Sequence, residues 1–495
     1  MERSSGILMA VSSLPSNYGI GTFGKAAYDF VDFLEKSGQK YWQMLPLGPI
    51  SYGDSPYQSF SSFAGNPYYI DLDLLKEDGL LTEKEILAAD WGNDPKNVDY
   101  GKIYENRFDA LALAKQRGWD RDRDEVEIFR IRNSWVEEYA LFMACKRYFN
   151  MVSWQEWPDE NLKKRNMDTL RYYVDLLKED CELFTYIQFL FFKQWNALRD
   201  YAHSKGIKII GDLPIYVALD SVDVWTEPGQ FQLDENLAPT EVAGCPPDAF
   251  SDDGQFWGNP LYNWDVMKNN GFGWWIRRID GISKLYDVIR IDHFRGFDEY
   301  WSVPAGAKTA AEGRWRKGPG MDLVSIFNTW FPDLEYIAED LGFMTDSVIR
   351  LVKDSGWPSM KVLEFAFDTK EESDYLPHNY ISNSVCYTGT HDNETVMQWF
   401  ETASKEEKLH AVSYLNLTEE EGYNWGMIRG GMSSVSDLFI APLQDYLGLG
   451  AEARMNQPSI PMGWWRWRAL SEDLTGEKAD ALAAKIREMT GLYCR

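Results

Sequence analysis

The chain has 495 residues and carries 77 Asp and Glu against 50 Lys and Arg, a formal net charge of −27. That balance excludes nucleic acid and anionic membrane as partners, because both require a basic footprint. Aromatic residues make up 15%, with 21 Trp; indole faces stack well on sugar rings, so any surplus beyond core packing favours a neutral carbohydrate over a phosphate ligand.

The length accommodates about three ordinary domains, or one barrel enlarged by insertions. Cys145, Cys181, Cys245, Cys386 and Cys494 are scattered and odd in number, with no CxxC or Cys/His spacing that would hold zinc. A reducing compartment is expected. The N-terminus MERSSGILMAVSSLP has no long apolar core or small-residue cleavage signal, and no run of about 18 apolar residues occurs. A soluble, cytoplasmic protein is the expectation.

In chain order, the first strand is GILMAVSSLP, followed by a helix whose Ala27, Phe30, Val31 and Leu34 recur at i, i+3, i+4 and i+7 before Gly38 stops it. A second apolar run, YWQMLPLGP, precedes an interruption over about residues 50–200. Its segments VEIFRIRNSWVEEYALFMACKRYF and LRYYVDLLKEDCELFTYIQFLFFKQWNAL are too long for βα loops and too polar on one face for membrane spans. They predict a helical subdomain. After the third strand, IKIIGDLPIYV, a second interruption from about Ala218 to Lys284 contains AGCPPDAFSDDGQFWGNPLYNW, which reads as a structured lid or substrate loop. VIRIDHFRGF, YIAEDLG, MKVLEFAF, SVCYTGTHDN and DLFIAPLQD complete eight strands. Runs apolar throughout suit strands buried on both faces, so the fold expected is α/β, a closed parallel (β/α)8 TIM barrel forming one elaborated unit over 1–495.

Polar residues cluster at the C-terminal ends of these strands, the rim that carries barrel active sites. Asp292, two residues after Arg290 on the same strand face, reads as a carboxylate held ionised by the guanidinium; the same pair would also serve as an ion pair closing a strand end. Glu339 and Asp340 follow in YIAEDLG, and Asp392 in TGTHDN. Retaining cleavage of a glycosidic bond requires an ionised nucleophile and a protonated acid about 5–5.5 Å apart, which neighbouring strands can supply. Adjacent residues face opposite ways, so spacing alone does not choose between Glu339 and Asp340.

RIDHFRGF, AEDLG and GTHDNET, with WQMLPLGP and SPYQSFSSFAGNP upstream, resemble the amylomaltases, also called 4-α-glucanotransferases or disproportionating enzymes, a family related to the α-amylases. The likeness runs from Gly6 to the WRWR segment. It implies transfer of α-1,4-glucan segments between maltodextrins by double displacement through a covalent glycosyl-aspartate. Asp292 would be the nucleophile, kept at low pKa by Arg290; Glu339 the acid/base; and Asp392 the acid gripping the sugar in the transition state. His391, Ser55, Tyr57, Asp248, Gln255 and Trp257 are implied substrate contacts, with Phe250 covering the sugar, Arg290 among the binding residues, and Asp212 either touching the sugar or standing behind those that do. Maltose, maltodextrins and amylose-type α-glucans are the implied partners.

The chain departs from the family where RMNQPSIPMGWWRWR has Ser459 for a glycine and Trp464 for an asparagine. An indole stacks on glucose but cannot accept a hydrogen bond, so donor preference is expected to differ. Ala249 stands where some members carry an aromatic. Two other readings stay open: a retaining α-1,4-glucan hydrolase with the same acids, and a glycan-binding protein, which has no need of all three. No metal or organic cofactor is implied, since there is no phosphate-cradling Gly loop and the five His are scattered. Oligomeric state is left open.

Overall fold

The eight apolar runs fold as the strands β1 (Ser4–Leu8), β2 (Tyr41–Gln43), β3 (Lys208–Leu213), β6 (Val288–Ile291), β9 (Glu335–Ala338), β10 (Ser359–Val362), β11 (Ser384–Tyr387) and β12 (Leu438–Pro442) of a computed structural model. They close a barrel in the order β1-β12-β11-β10-β9-β6-β3-β2, every neighbouring pair parallel. The structure describes residues 1–51, 53–247, 253–342, 344–370, 373–458, 460 and 462–495. The fold is a (β/α)8 barrel.

Alternation assigns the two faces of each strand. Leu8, Tyr41, Ile210, Val288, Ile337, Met360, Val362, Val385, Tyr387, Leu438 and Ile440 fill the barrel interior as one cluster. Outward residues such as Ile7, Ile209, Ile289 and Ile291 belong to the larger cluster shared with the helices. Each such aliphatic side chain contributes about 1.5–3 kcal/mol by leaving water. On β3 the outward position Gly211 has no side chain because Tyr286 occupies the space: a Cβ there would sit 2.0 Å from its ring. The first helix, Lys25–Lys36, buries Ala27, Phe30, Val31, Phe33 and Leu34, the stripe expected from its period.

Between β2 and β3 the described residues form eight α-helices, from Leu72–Glu77 to Lys178–Ser204. The last is 27 residues long. Its Gln188 holds both N–H and C=O of Gly65, at 2.7 and 2.9 Å, and its Gln194 does the same to Asp71, at 2.7 and 3.1 Å. Two buried side-chain amides thereby satisfy a loop whose backbone groups would otherwise be orphaned. The next residue, Trp195, packs on Phe23 and Tyr286.

A second, four-stranded antiparallel sheet stands over the rim. It combines β4 (Glu241–Cys245) and β5 (Gln255–Pro260), from the expected lid stretch, with β7 (Glu299–Pro304) and β8 (Arg314–Lys317), which follow β6. The sequence reading did not anticipate β7 and β8. Neither is apolar throughout as the barrel runs are, and RWRK is polar enough to read as loop. No helix among the described residues is long and apolar enough to cross a membrane.

Candidate active site

Strand register assembles the site. Asp212 on β3 lies opposite Arg290 on β6, and Ile291 lies opposite Ala338 on β9. One residue further along the second ladder, Asp292 stands beside Glu339 on strands about 4.8 Å apart. Inward alternation then stacks Asp212 above Ile210, Arg290 and Asp292 above Val288, and Glu339 above Ile337, so a polar layer caps the apolar interior.

Arg290, with a side chain only 3% exposed, joins this layer. Its Nη1 donates to both oxygens of Asp212 at 2.7 Å and reaches Asp292 Oδ1 at 3.4 Å; Nη2 is 3.9 Å from Glu339 Oε2, and Nε points at Met360 Sδ. Asp212 is wholly enclosed, and its Oδ2 also accepts from the Tyr57 hydroxyl at 2.7 Å. Arg290 and Asp212 therefore reach the pocket through the acids and Tyr57.

The expectation that Arg290 holds Asp292 at a low pKa is overturned. Burial pushes the Asp292 carboxyl well above the usual range; Arg290 opposes this, while Asp212 and Asp392 add to it. Arg290 gives its two short bonds to Asp212 and reaches Asp292 only at 3.4 Å, so its pull does not offset the burial. Glu339 is also pushed up, first by burial and then by the charge of Asp292, against the pull of Arg290 and of the His293 N–H. That N–H donates to Glu339 Oε2 at 2.5 Å, and the left-handed turn at His293, φ 49°, belongs to the same corner. Burial holds the His293 imidazole neutral, lowered to about 3.

Asp340 faces away from Glu339, as adjacent strand residues do. Its Oδ1 accepts the Met360 N–H at 2.8 Å, tying β9 to β10. Asp392, 44% exposed, sits at the mouth. Asn456 Nδ2 donates to its Oδ1 at 2.6 Å, and His391 Nε2 is 3.5 Å from its Oδ2. The Tyr57 hydroxyl, 2.8 Å from the same Nε2, gives its single proton to Asp212 and so accepts from the imidazole. That fixes the tautomer: Nδ1 carries the lone pair, buried and without a hydrogen-bond partner. Burial lowers the His391 pKa, keeping the ring neutral.

The remaining expected contacts divide. Trp257 packs edge-on to His293, centroids 4.9 Å apart, and donates to Gln255 Oε1 at 3.1 Å, so β5 brings both toward the acids. Ser55 Oγ accepts the Tyr57 N–H at 3.3 Å, shaping the turn that presents the phenol. Asp248, Ala249, Phe250 and Ser459 lie outside the described residues. Trp464 has the Arg454 guanidinium over its ring at 5.9 Å. Sequence reasoning missed Asn456, although it stands in the RMNQP motif; its bond to Asp392 spans 64 residues, and no local pattern announces it.

A model of the 4-alpha-glucanotransferase family matches residues 9–473. The 4-alpha-glucanotransferase of Clostridium butyricum is 51% identical over 490 residues, covering 98% of this chain and 100% of that one. That of Thermus thermophilus is 46% identical over 496 residues, with 98% of each covered. Among solved structures, the amylomaltase from Streptococcus agalactiae in complex with acarbose superimposes with a TM-score of 0.97 at 43% identity over 100% of both chains. Amylomaltase from Corynebacterium glutamicum, 17% identical, shares the fold with a TM-score of 0.77 over 98% of this chain and 75% of that one. With its full length matched at such identity and its barrel rim lined by buried acids, the chain belongs to the 4-alpha-glucanotransferase family, glycosyl-transferring enzymes that act on α-1,4-glucans.

Proposed function

We propose that this enzyme transfers segments between maltodextrins by double displacement, with Asp292 as nucleophile, Glu339 as acid/base and Asp392 as the group that grips the reacting sugar. The observation that carries the reading is the juxtaposition of Asp292 and Glu339 at the ends of paired strands, both facing one guanidinium. Two buried carboxyls this close share protons, and the singly protonated pair is the working form. Arg290 lies nearer Asp292 than Glu339, which favours placing the charge on Asp292 and the proton on Glu339.

In the first step an Asp292 oxygen attacks the anomeric carbon, the bond to the leaving sugar oxygen breaks, and Glu339 protonates that oxygen. In the second, a 4-hydroxyl of the acceptor attacks the glycosyl ester as Glu339 takes its proton back, and Asp292 leaves as carboxylate. Asp392, held by Asn456, binds ring hydroxyls more tightly as the sugar flattens, and only such differential binding speeds the step. Tyr57, Gln255 and Trp257 bound the sugar site, with Asp248 and Phe250 assigned there from sequence. The acarbose complex of the Streptococcus agalactiae relative supports an α-glucan-shaped pocket; maltose, maltodextrins and amylose-type glucans are the proposed substrates.

Incubation with maltotriose tests the transfer. Glucose and a ladder of longer maltodextrins at constant total reducing ends are expected; rising reducing ends without longer products would mean hydrolysis. An α-maltosyl fluoride donor tests the intermediate. In Glu339→Ala its fluoride leaves without acid help, and a glycosyl adduct on the Asp292 peptide should accumulate in the mass spectrum. Asp292→Asn should fold normally and lack both adduct and turnover.

A further inference from the structure

Trp465 takes no part in the chemistry set out above, yet its geometry is unusual. Its backbone lies at φ 68°, a left-handed conformation that bulky residues seldom adopt and that tends to mark functional sites. The side chain is only 6% exposed. Two bonds hold the residue there: its N–H donates to the Met455 carbonyl at 2.7 Å, and its own carbonyl accepts from the Tyr100 hydroxyl at 2.9 Å. Tyr100 begins a helix of the insertion, Tyr100–Gly118.

This backbone lays the indole against two rings of the candidate site at once. Its centroid is 5.8 Å from Tyr57 and 5.8 Å from His391, tilted 44° and 39°. Tyr57 and His391 are themselves stacked, 5.2 Å apart at 21°. The Tyr57 hydroxyl is pinned by Asp212, but the imidazole is bonded on one side only, through Nε2, while Nδ1 has no partner. One hydrogen bond does not fix a ring plane. Packing must supply the rest.

We propose that Trp465 is a positioning residue: it clamps Tyr57 and His391 as a pair and so holds the imidazole edge, 3.5 Å from Asp392, in place at the sugar site. The inference rests on the reading of His391 and Asp392 as sugar-gripping groups. A ring that tips without its clamp moves its Nε2, and displacement of about 1 Å in such a group costs about 100-fold in rate. Because these contacts tighten in the transition state, the loss falls on kcat more than on KM.

The test is a double-mutant cycle on maltotriose disproportionation with Trp465→Leu, His391→Ala and their combination. Trp465→Leu should lower kcat about 10- to 100-fold with KM changed by less than about threefold, and Trp465→Phe should recover most of the loss. In the His391→Ala background the same Leu substitution should cost less than about threefold, the non-additivity expected of groups acting as a unit. If Trp465→Leu does not fold, Trp465→Phe takes its place, and its smaller loss should likewise vanish without His391. Full multiplicative losses, or a rise in KM alone, would overturn the proposal. A His391→Ala enzyme with unchanged kcat would instead overturn the site reading beneath it.

Discussion

Arg290 binds both oxygens of Asp212 at 2.7 Å through a single nitrogen, and this bond is what keeps a full positive charge in the barrel interior. Breaking a buried pair by removing one partner costs about 3–5 kcal/mol, since the other charge is left uncompensated. Asp212→Asn should therefore lower the free energy of unfolding by about that amount, measured by denaturant titration at neutral pH. An unchanged midpoint would show that Asp292 and Glu339 compensate the guanidinium unaided.

The same substitution should move the pH profile. Asp292 must ionise to attack, and burial together with Asp212 raises its pKa; activity should thus rise with pH through a midpoint above about 4, the ordinary carboxylate value. At higher pH activity falls as Glu339, also raised, loses its proton. In Asp212→Asn the rising limb of kcat/KM should shift to lower pH, because one negative neighbour has gone. A rising limb already near pH 4 in the wild type would contradict the assignment.

Asp340 separates structure from chemistry. Burial pushes it from 3.8 to about 6, so the folded state holds a proton that the unfolded state releases between those values. Its contribution is present below about pH 4 and is lost as pH climbs through about 6. Asp340→Asn removes this loss while its amide oxygen still accepts the Met360 N–H. The variant should keep kcat within about twofold and gain stability relative to wild type, on the order of 1–3 kcal/mol, as pH rises across that window. Thermal melts at pH 4 and pH 7 check the sign, and a collapse in kcat would place Asp340 in the chemistry.

Asn456 is the partner that orients the half-exposed Asp392. A hydrogen bond to a charged group is worth about 1.5–3 kcal/mol, so Asn456→Ala should reduce kcat by about 10- to 100-fold with little change in melting temperature. Asn456→Asp should be worse, because it sets a second negative charge 2.6 Å from the first. Steady-state kinetics on maltotriose decide it.

The barrel was readable in the sequence because its strands are buried on both faces: YIA and LFIAP are apolar without interruption, VIRI is broken only by Arg290, and Asp292 and Glu339 follow directly at the rim. Asp292, Glu339 and Asp392 could be singled out as rim acids from the same pattern, whereas their roles and the choice of Glu339 over Asp340 came from family likeness; in the structure Glu339 faces Arg290 and Asp340 bonds the Met360 N–H on the other side. What could not be read depends on distant partners. The Asp292 pKa is raised first by burial, which a local Arg-x-Asp pattern does not show, and the carboxylate that takes the short bonds of Arg290, Asp212, lies 78 residues away. Strand β7 gains its pairing from β4, across an insertion, and β8 pairs with β7, so neither needs the all-apolar run that marks the barrel strands.

The helix Lys178–Ser204 begins among the inserted helices and ends on the barrel wall just before β3. A cut that excised the insertion would have to pass through the middle of an unbroken 27-residue hydrogen-bonded rod, whose Gln188 and Gln194 also hold Gly65 and Asp71. The inserted helices are thus welded to the barrel like a buttress cast with its wall, and Tyr100, which they carry, keeps a fixed distance from Trp465.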